Sequence, residues 1–239
     1  MIGGPKPSSP LLLLFDIDGT LLQRASTEHA RAIVEAAQDV HGVAGLHRHT
    51  VEAAGRTDLA IARDLLLAAG VGHAEIDARS GDVAARAVEA YADLCPQDLS
   101  PRLAPGIVEL LDALGGREDL FRLSLVTGNL EPVARLKLAR AGIGHRFPAG
   151  QGGFGSDHAS RAELPPLARA RMSDPPWPRE RTVVIGDTPR DIACARADRV
   201  RVIAVATGPF GAEDLAGADA VVDDAPAVLP VLADWAATA

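Results

Sequence analysis

Cysteine is nearly absent. Cys95 and Cys194 are the only two in 239 residues, far apart and outside any Cys-x-x-Cys spacing. That excludes a disulfide framework and a cysteine-type zinc site, and each thiol is expected to fill apolar space. Lysine is equally scarce, with only Lys6 and Lys137. The chain has no apolar run fit to cross a membrane: the stretch Leu11 to Phe15 is short and is stopped by Asp16. The Gly/Pro/Ser-rich segment from Met1 to Pro10 does not read as a secretory signal, so a cytoplasmic location is the default expectation. A basic excess is missing as well. The net charge of -8 argues against a nucleic-acid or anionic-membrane surface, since both need a positive face. A small anionic substrate would need a cation or local arginines to offset this field. Internal repeats and low-complexity segments are absent beyond the ends.

What is present is ordinary for a folded protein: 47% hydrophobic and 23% charged residues, in a length that suggests one or two domains. Residues 1–10 read as a loose tail. Leu11 to Asp16 reads as a buried parallel strand, because the apolar run is short, continuous and unalternating. From about residue 24 to 100 the signals are helical, over 27–41, through Leu59, Ala62, Leu66 and Ala69, and along Val83, Ala87, Val88, Tyr91 and Leu94. After Pro105-Gly106 the character changes. Helices are predicted at 107–114, 130–141 (with Gly142 as the left-handed cap), 162–172 and 189–197. Strands are predicted at 123–126, 182–185, 200–205 and 220–222. Strands alternating with helices predict an α/β fold with a mostly parallel, Rossmann-like sheet, interrupted after its first strand by an all-helical insert.

Three polar turns follow predicted strands. Asp16-Ile17-Asp18-Gly19-Thr20 ends the first; one carboxylate there can attack or hold a metal, and the other can carry a proton. Gly19 allows a tight exit close to a ligand. The plain alternative is an Asx-type turn. Thr127-Gly128-Asn129 ends another strand and offers a hydroxyl and backbone N–H groups to an anion, or is simply a helix entry. Gly186-Asp187-Thr188-Pro189-Arg190-Asp191 ends a third; Asp187 sits just past the strand and Asp191 one turn into the next helix. Their plain alternatives are an N-cap and a solvated helix residue. Parallel strands deliver their carboxyl ends to one sheet edge, so Asp16, Asp18, Asp187 and Asp191 would converge. Such a cluster needs a hard cation, and oxygen-only ligands point to Mg²⁺.

With these residues in place, the chain resembles the haloacid dehalogenase superfamily of aspartyl-nucleophile phosphohydrolases. Phe15-Asp16-Ile17-Asp18-Gly19-Thr20-Leu21 is similar to its first motif, Thr127 to its second, and Gly186-Asp187-Thr188-Pro189-Arg190-Asp191 to its fourth. By overall look the phosphoglycolate phosphatase-like hydrolases are the nearest subgroup. The resemblance implies a core over residues 11–23 and 101–239 and a helical C1 cap domain over 24–100. It implies Asp16 as nucleophile and Asp18 as acid and base, and Mg²⁺ held by Asp16, Asp187, the Asp18 carbonyl and, directly or through water, Asp191. Thr127, Gly128 and Asn129 would hold the phosphoryl oxygens. The implied reaction is Mg²⁺-dependent hydrolysis of a small phosphorylated metabolite. A phosphomutase and a non-enzymatic phospholigand-binding module are the alternatives; a dehalogenase is disfavoured by Asp18. The resemblance says nothing of oligomeric state.

The family's third-motif lysine is missing. Lys137 falls early, inside a helix, where a solvated role is expected. Arg161 is the candidate instead, with Arg169, Arg171 and Arg179 as competitors. In related proteins a cap segment like Gly55-Arg56-Thr57-Asp58 reaches the substrate, which makes Arg56 and Thr57 candidates, while Asp58 could equally cap a helix. Gly150 to Gly155 formally matches G-x-G-x-x-G but follows a poor strand, and is read as a loop leading to Arg161. His41, His47 and His49 read as a solvated loop rather than a zinc site.

Overall fold

A computed structural model describes residues 10–47 and 51–238. The expected tail, apart from Pro10, and His49 lie outside these residues. Strand β1 (Leu11–Phe15) is buried along its whole length. Leu11, Leu13 and Phe15 pack into one hydrophobic cluster, Leu12 and Leu14 into another on the opposite face. A strand covered on both faces has no polar side to show, hence the unbroken apolar run. Each such side chain contributes about 1.5–3 kcal/mol of burial.

Between β1 and the next strand come helices α1 (Thr27–His41), α2 (Asp58–Ala68) and α3 (His73–Leu94). Ala37, Leu46, Leu65, Leu66 and Ile76 form a small cluster of their own among these helices, while Ala32, Ile33, Val83, Ala87 and Tyr91 join the main core. Then follow α4 (Ile107–Gly115), β2 (Phe121–Thr127), α5 (Glu131–Arg140), β3 (Gly153–Phe154), α6 (Leu164–Met172), β4 (Thr182–Gly186), α7 (Pro189–Asp198), β5 (Arg201–Val205), β6 (Ala220–Val222) and α8 (Val228–Thr238). β3 and α8 are not legible in the sequence; the glycine-rich stretch that holds β3 reads as loop.

The sheet is parallel throughout, in the order β3-β2-β1-β4-β5-β6. The fold is α/β and Rossmann-like. The chain winds outward from β1 to β2 and β3 on one side, then returns to β4 beside β1 and winds the other way. The order therefore reverses between β1 and β4, and open α/β sheets bind ligands in the crevice at that reversal, beyond the strands' carboxyl ends. Phe15 lies opposite Ile185 there, and the N–H of Asp16 donates to the Ile185 carbonyl at 2.9 Å. Asp16 directly follows the last residue of β1 and Asp187 the last residue of β4, which puts both at the reversal.

Candidate active site

Asp16 leaves β1 nearly buried, at 3% exposure. Gly19 turns the chain with φ +94°, and a Cβ there would run into the Asp187 carboxylate. Glycine thus serves two needs: the left-handed turn and the approach of Asp187. The Thr20 hydroxyl donates to Asp187 Oδ1 at 3.0 Å, and the Thr207 hydroxyl to the Gly19 carbonyl at 2.8 Å.

The N-cap of α7 is Thr188, not Asp187. The Thr188 hydroxyl accepts from Asp191 N at 3.3 Å, and Thr188 N donates to Asp191 Oδ2 at 3.0 Å, a reciprocal capping box with Pro189 in the first turn. Asp187 is thereby free of capping duty, and Asp191 is buried, not solvated.

Asp16, Asp187 and Asp191 each offer a carboxylate oxygen within 4.8 Å of the others. One buried guanidinium, that of Arg161, faces them. It pairs with Asp191 and comes within 3.1 Å of Asp16 Oδ1. That second approach is not aligned as a hydrogen bond: Asp16 Oδ1 and Arg161 Nε are both buried without a hydrogen-bond partner. Once all three are ionised, three carboxylates against one cation leave two negative charges uncompensated, the charge of one divalent ion. Burial pushes the Asp187 carboxyl up to about 8, helped by the Asp191 and Asp16 charges. Burial likewise raises Asp16 to about 6, against the pull of Arg161 and with repulsion from Asp191 and Asp18. Burial alone would lower the Arg161 pKa, but the Asp16 and Asp191 charges override it and keep the guanidinium protonated. An all-oxygen set with an unpartnered buried oxygen and excess negative charge fits a hard divalent cation such as Mg²⁺. Asp16 and Asp187 have oxygens to give; both oxygens of Asp191 are engaged, by Thr188 and by Arg161.

Asp18 is held differently, and here the expected role of Lys137 is corrected. Lys137 is fully buried, not solvated. It lies on the inward stripe of α5 with Val133, Ala134 and Leu138. Helical side chains lean toward the helix N-terminus, which brings its ammonium back to the Gly128-Asn129 turn. Lys137 Nζ donates to Asp18 at 2.6 and 2.8 Å, to Asn129 Oδ1 at 2.8 Å, and meets His29 Nδ1 at 3.0 Å. An ammonium only donates, so His29 Nδ1 accepts. His29 Nε2 then carries the proton toward Asp58 Oδ2, at 2.9 Å. Asp58 Oδ2 also accepts from Leu130 N at 2.8 Å, and Asn129 Nδ2 donates to Asp18 Oδ2 at 2.9 Å. Burial by itself would raise the Asp18 pKa, but the Lys137 charge, His29 and these hydrogen bonds overcome it and lower the pKa. The sequence signal for Lys137 was its place on an apolar helical stripe. His29 and Asp58 gave no such signal.

These groups open into a cavity of about 430 Å³. Asp16, Asp18, Asp187, Gly128, Asn129, Arg161 and Arg56 lie on its wall. Thr127, Thr57 and Asp191 do not. Thr127 is fully buried at the end of β2, where its hydroxyl accepts from Asn129 N at 3.4 Å. Thr57 caps α2, and its hydroxyl donates to the Ala159 carbonyl at 2.7 Å. Arg56 is on the wall, but its guanidinium is bound to Asp64 and the Ala60 carbonyl. Its own carbonyl rests so close to Gly128 that no Cβ would fit, and beside it Asp58 N donates to the Gly128 carbonyl at 2.9 Å. The competing arginines are occupied elsewhere: Arg169 and Arg179 with Asp198, Arg171 with Asp157.

Comparison with known proteins bears on this geometry. The family model for haloacid dehalogenase-like hydrolases matches residues 13–196, and a second HAD-like hydrolase model matches residues 162–233. The chain is 31% identical over 232 residues to a phosphoglycolate phosphatase of Rhodospirillum rubrum, covering 95% of this chain and 90% of that protein. It is also 29% identical over 216 residues to the tyrosine-protein kinase PtkA of Mycobacterium tuberculosis, covering 86% of this chain but only 65% of that longer protein. The crystal structure of a β-phosphoglucomutase from Clostridium difficile superposes with a TM-score of 0.65, covering 97% of this chain and 98% of that one. At 16% identity, that likeness shows the fold alone.

Proposed function

This chain belongs to the haloacid dehalogenase-like hydrolases, and on that footing we propose that it is a Mg²⁺-dependent phosphatase that hydrolyses a small-molecule phosphate monoester through an aspartyl-phosphate. The family's phosphatase- and phosphomutase-like chemistry frames the reading. The observation that carries it is Asp16, buried at the sheet reversal with one oxygen lacking any hydrogen-bond donor. A carboxylate so held is costly unless it serves a ligand, and here it sits between a carboxylate trio and a cavity. We read residues 24–100 as a cap domain over a core of 11–23 and 101–239, because that span contributes the cavity's far wall.

In the proposed reaction, Asp16 attacks phosphorus and the ester oxygen departs with a proton from Asp18, whose lowered pKa makes the protonated form the minor one until the phosphoryl dianion adds its charge beside it. Water, deprotonated by Asp18, then attacks the aspartyl-phosphate, freeing phosphate and restoring Asp16. Lys137 and Asn129 hold Asp18 in place for both steps. Gly128, Asn129 and Arg161 are the groups on the cavity wall suited to the phosphoryl oxygens. Mg²⁺, held by Asp16 and Asp187 with the Asp18 carbonyl and with Asp191 behind them, would supply charge compensation and orient the phosphoryl group.

The test is phosphate release from a panel of small phosphate esters, with Mg²⁺ and with a chelator. Release that needs Mg²⁺ is expected; release indifferent to the chelator would remove the metal from the proposal. Asp16→Asn should lower turnover by more than about 1,000-fold while the protein stays folded. A folded variant with wild-type turnover would sink the nucleophile assignment.

A further inference from the structure

Asp16 and Asp18 form one end of a cavity of about 430 Å³. Cavities of roughly 300–1,000 Å³ take drug-sized ligands, so this space far exceeds what a phosphoryl group and a two-carbon acid fill. The far end has its own chemistry. Ala30, Ile33 and Val34 line it from α1, and Ile61 and Leu65 from α2. Spacings of three and four residues put each set on one helical face, so each helix contributes an aliphatic strip to the cavity wall.

Among the described residues, the charged groups near that wall other than Arg24 are already committed. Arg56 holds Asp64 and the Ala60 carbonyl. His29 lies between Lys137 and Asp58, and Asp58 also accepts from Leu130 N. Arg24 also borders the cavity, on the segment between Asp18 and α1, but it is exposed. A second anionic group lodged against Ile33, Val34, Ile61 and Leu65 would lose its water without gaining a counter-ion, which is strongly unfavourable. A hydrocarbon body there would gain by leaving water.

Resting on the phosphatase reading above, we propose that the aliphatic wall of α1 and α2 is a leaving-group subsite, and that the substrate is the phosphate monoester of an alcohol or phenol with an uncharged apolar body larger than glycolate. The subsite is distinct from the phosphoryl end, where the fixed charges lie.

The experiment measures kcat/KM of the full chain with Mg²⁺ on ethyl, butyl, hexyl and phenyl phosphate beside phosphoglycolate. A gain of about fourfold per methylene is expected until the wall is covered, from the usual worth of a buried methylene. Butyl phosphate should outrun phosphoglycolate. Ile61→Asn should flatten the chain-length slope, with a loss of about tenfold or more on hexyl phosphate. Val34→Asn is the second variant, at a site only partly buried; should either variant fail to fold, the wild-type slope still decides. A flat wild-type series, or phosphoglycolate leading it, overturns the subsite while leaving the phosphatase reading intact. Release from none of the five esters overturns the phosphatase reading and the subsite with it.

Discussion

Lys137 lies fully buried between the sheet edge and the helix α1. Its ammonium satisfies Asp18, Asn129 and His29 together, with nothing exposed to water. Lys137→Met keeps the bulk and removes every donor. The Asp18 side chain, 23% exposed, can recover water; the buried Asn129 and His29 acceptors cannot do so as easily. We expect a loss of about 2 kcal/mol, less than for a fully enclosed pair, read from urea unfolding midpoints at unchanged m-value. A variant as stable as the parent would mean that the network contributes nothing to the fold. This position was half legible: the period of α5 puts it on the inward stripe, while its early place in the chain, inside a helix, points to a solvated role of the kind most lysines have. The partner residues were not legible, because His29 and Asp58 lie 29 residues apart and meet only through packing.

Among the elements, α7 shows how local chemistry sets a site. Thr188, Pro189 and Asp191 start the helix by themselves, and in doing so leave Asp187 to the cavity and turn Asp191 toward Arg161. Thr188→Ala should cost about 1 kcal/mol through the lost cap, visible as a lower thermal midpoint. An unchanged midpoint would show that the first turn is held by tertiary packing instead. The start of this helix at Pro189 was legible, but the cap was not: Asp187 read as the possible N-cap, and the structure gives that place to Thr188. β3 was not legible: Gly153 and Phe154 make a two-residue edge strand only because Val126 and Thr127 lie alongside. Glycine has no intrinsic preference for a strand. Where sequence period extended over several turns, as in α1, element and boundary agreed closely with the structure, whereas in α3 the stripe from Val83 to Leu94 marked only the second half of a helix that begins at His73.

At the scale of the whole molecule, the carboxylate trio makes stability depend on pH and metal together. Asp187 is raised to about 8 and Asp16 to about 6, each above its unfolded value of 3.8. Above that unfolded value the unfolded chain releases these protons while the folded chain retains them. Stability in chelator should therefore fall as pH rises from about 4 to about 8, and level off once both groups are ionised. A cation bound to the ionised trio reverses the trend. Added Mg²⁺ should raise the thermal midpoint more at pH 8 than at pH 5, and its binding should release protons, measurable by calorimetry in buffers of different ionisation enthalpy. A midpoint indifferent to Mg²⁺ at both pH values would count against the metal site. No helix among the described residues is long and apolar enough to cross a membrane.

The sequence by itself determined the α/β class, the helical span after β1, and the convergence of three polar turns. Hydrophobic period and the fixed polarity of parallel strands are enough for that: each turn must fall at the carboxyl edge. Which side chains enter the cavity was decided by the tertiary structure alone. Thr57 gives its hydroxyl proton to the Ala159 carbonyl and Thr127 sits buried with its hydroxyl oxygen accepting from Asn129 N, while Lys137, set aside by motif, reaches Asp18. A motif fixes where the backbone turns, but the direction of a side chain depends on which helix lies opposite. Lys137 and Asp18 meet in this way across 119 positions.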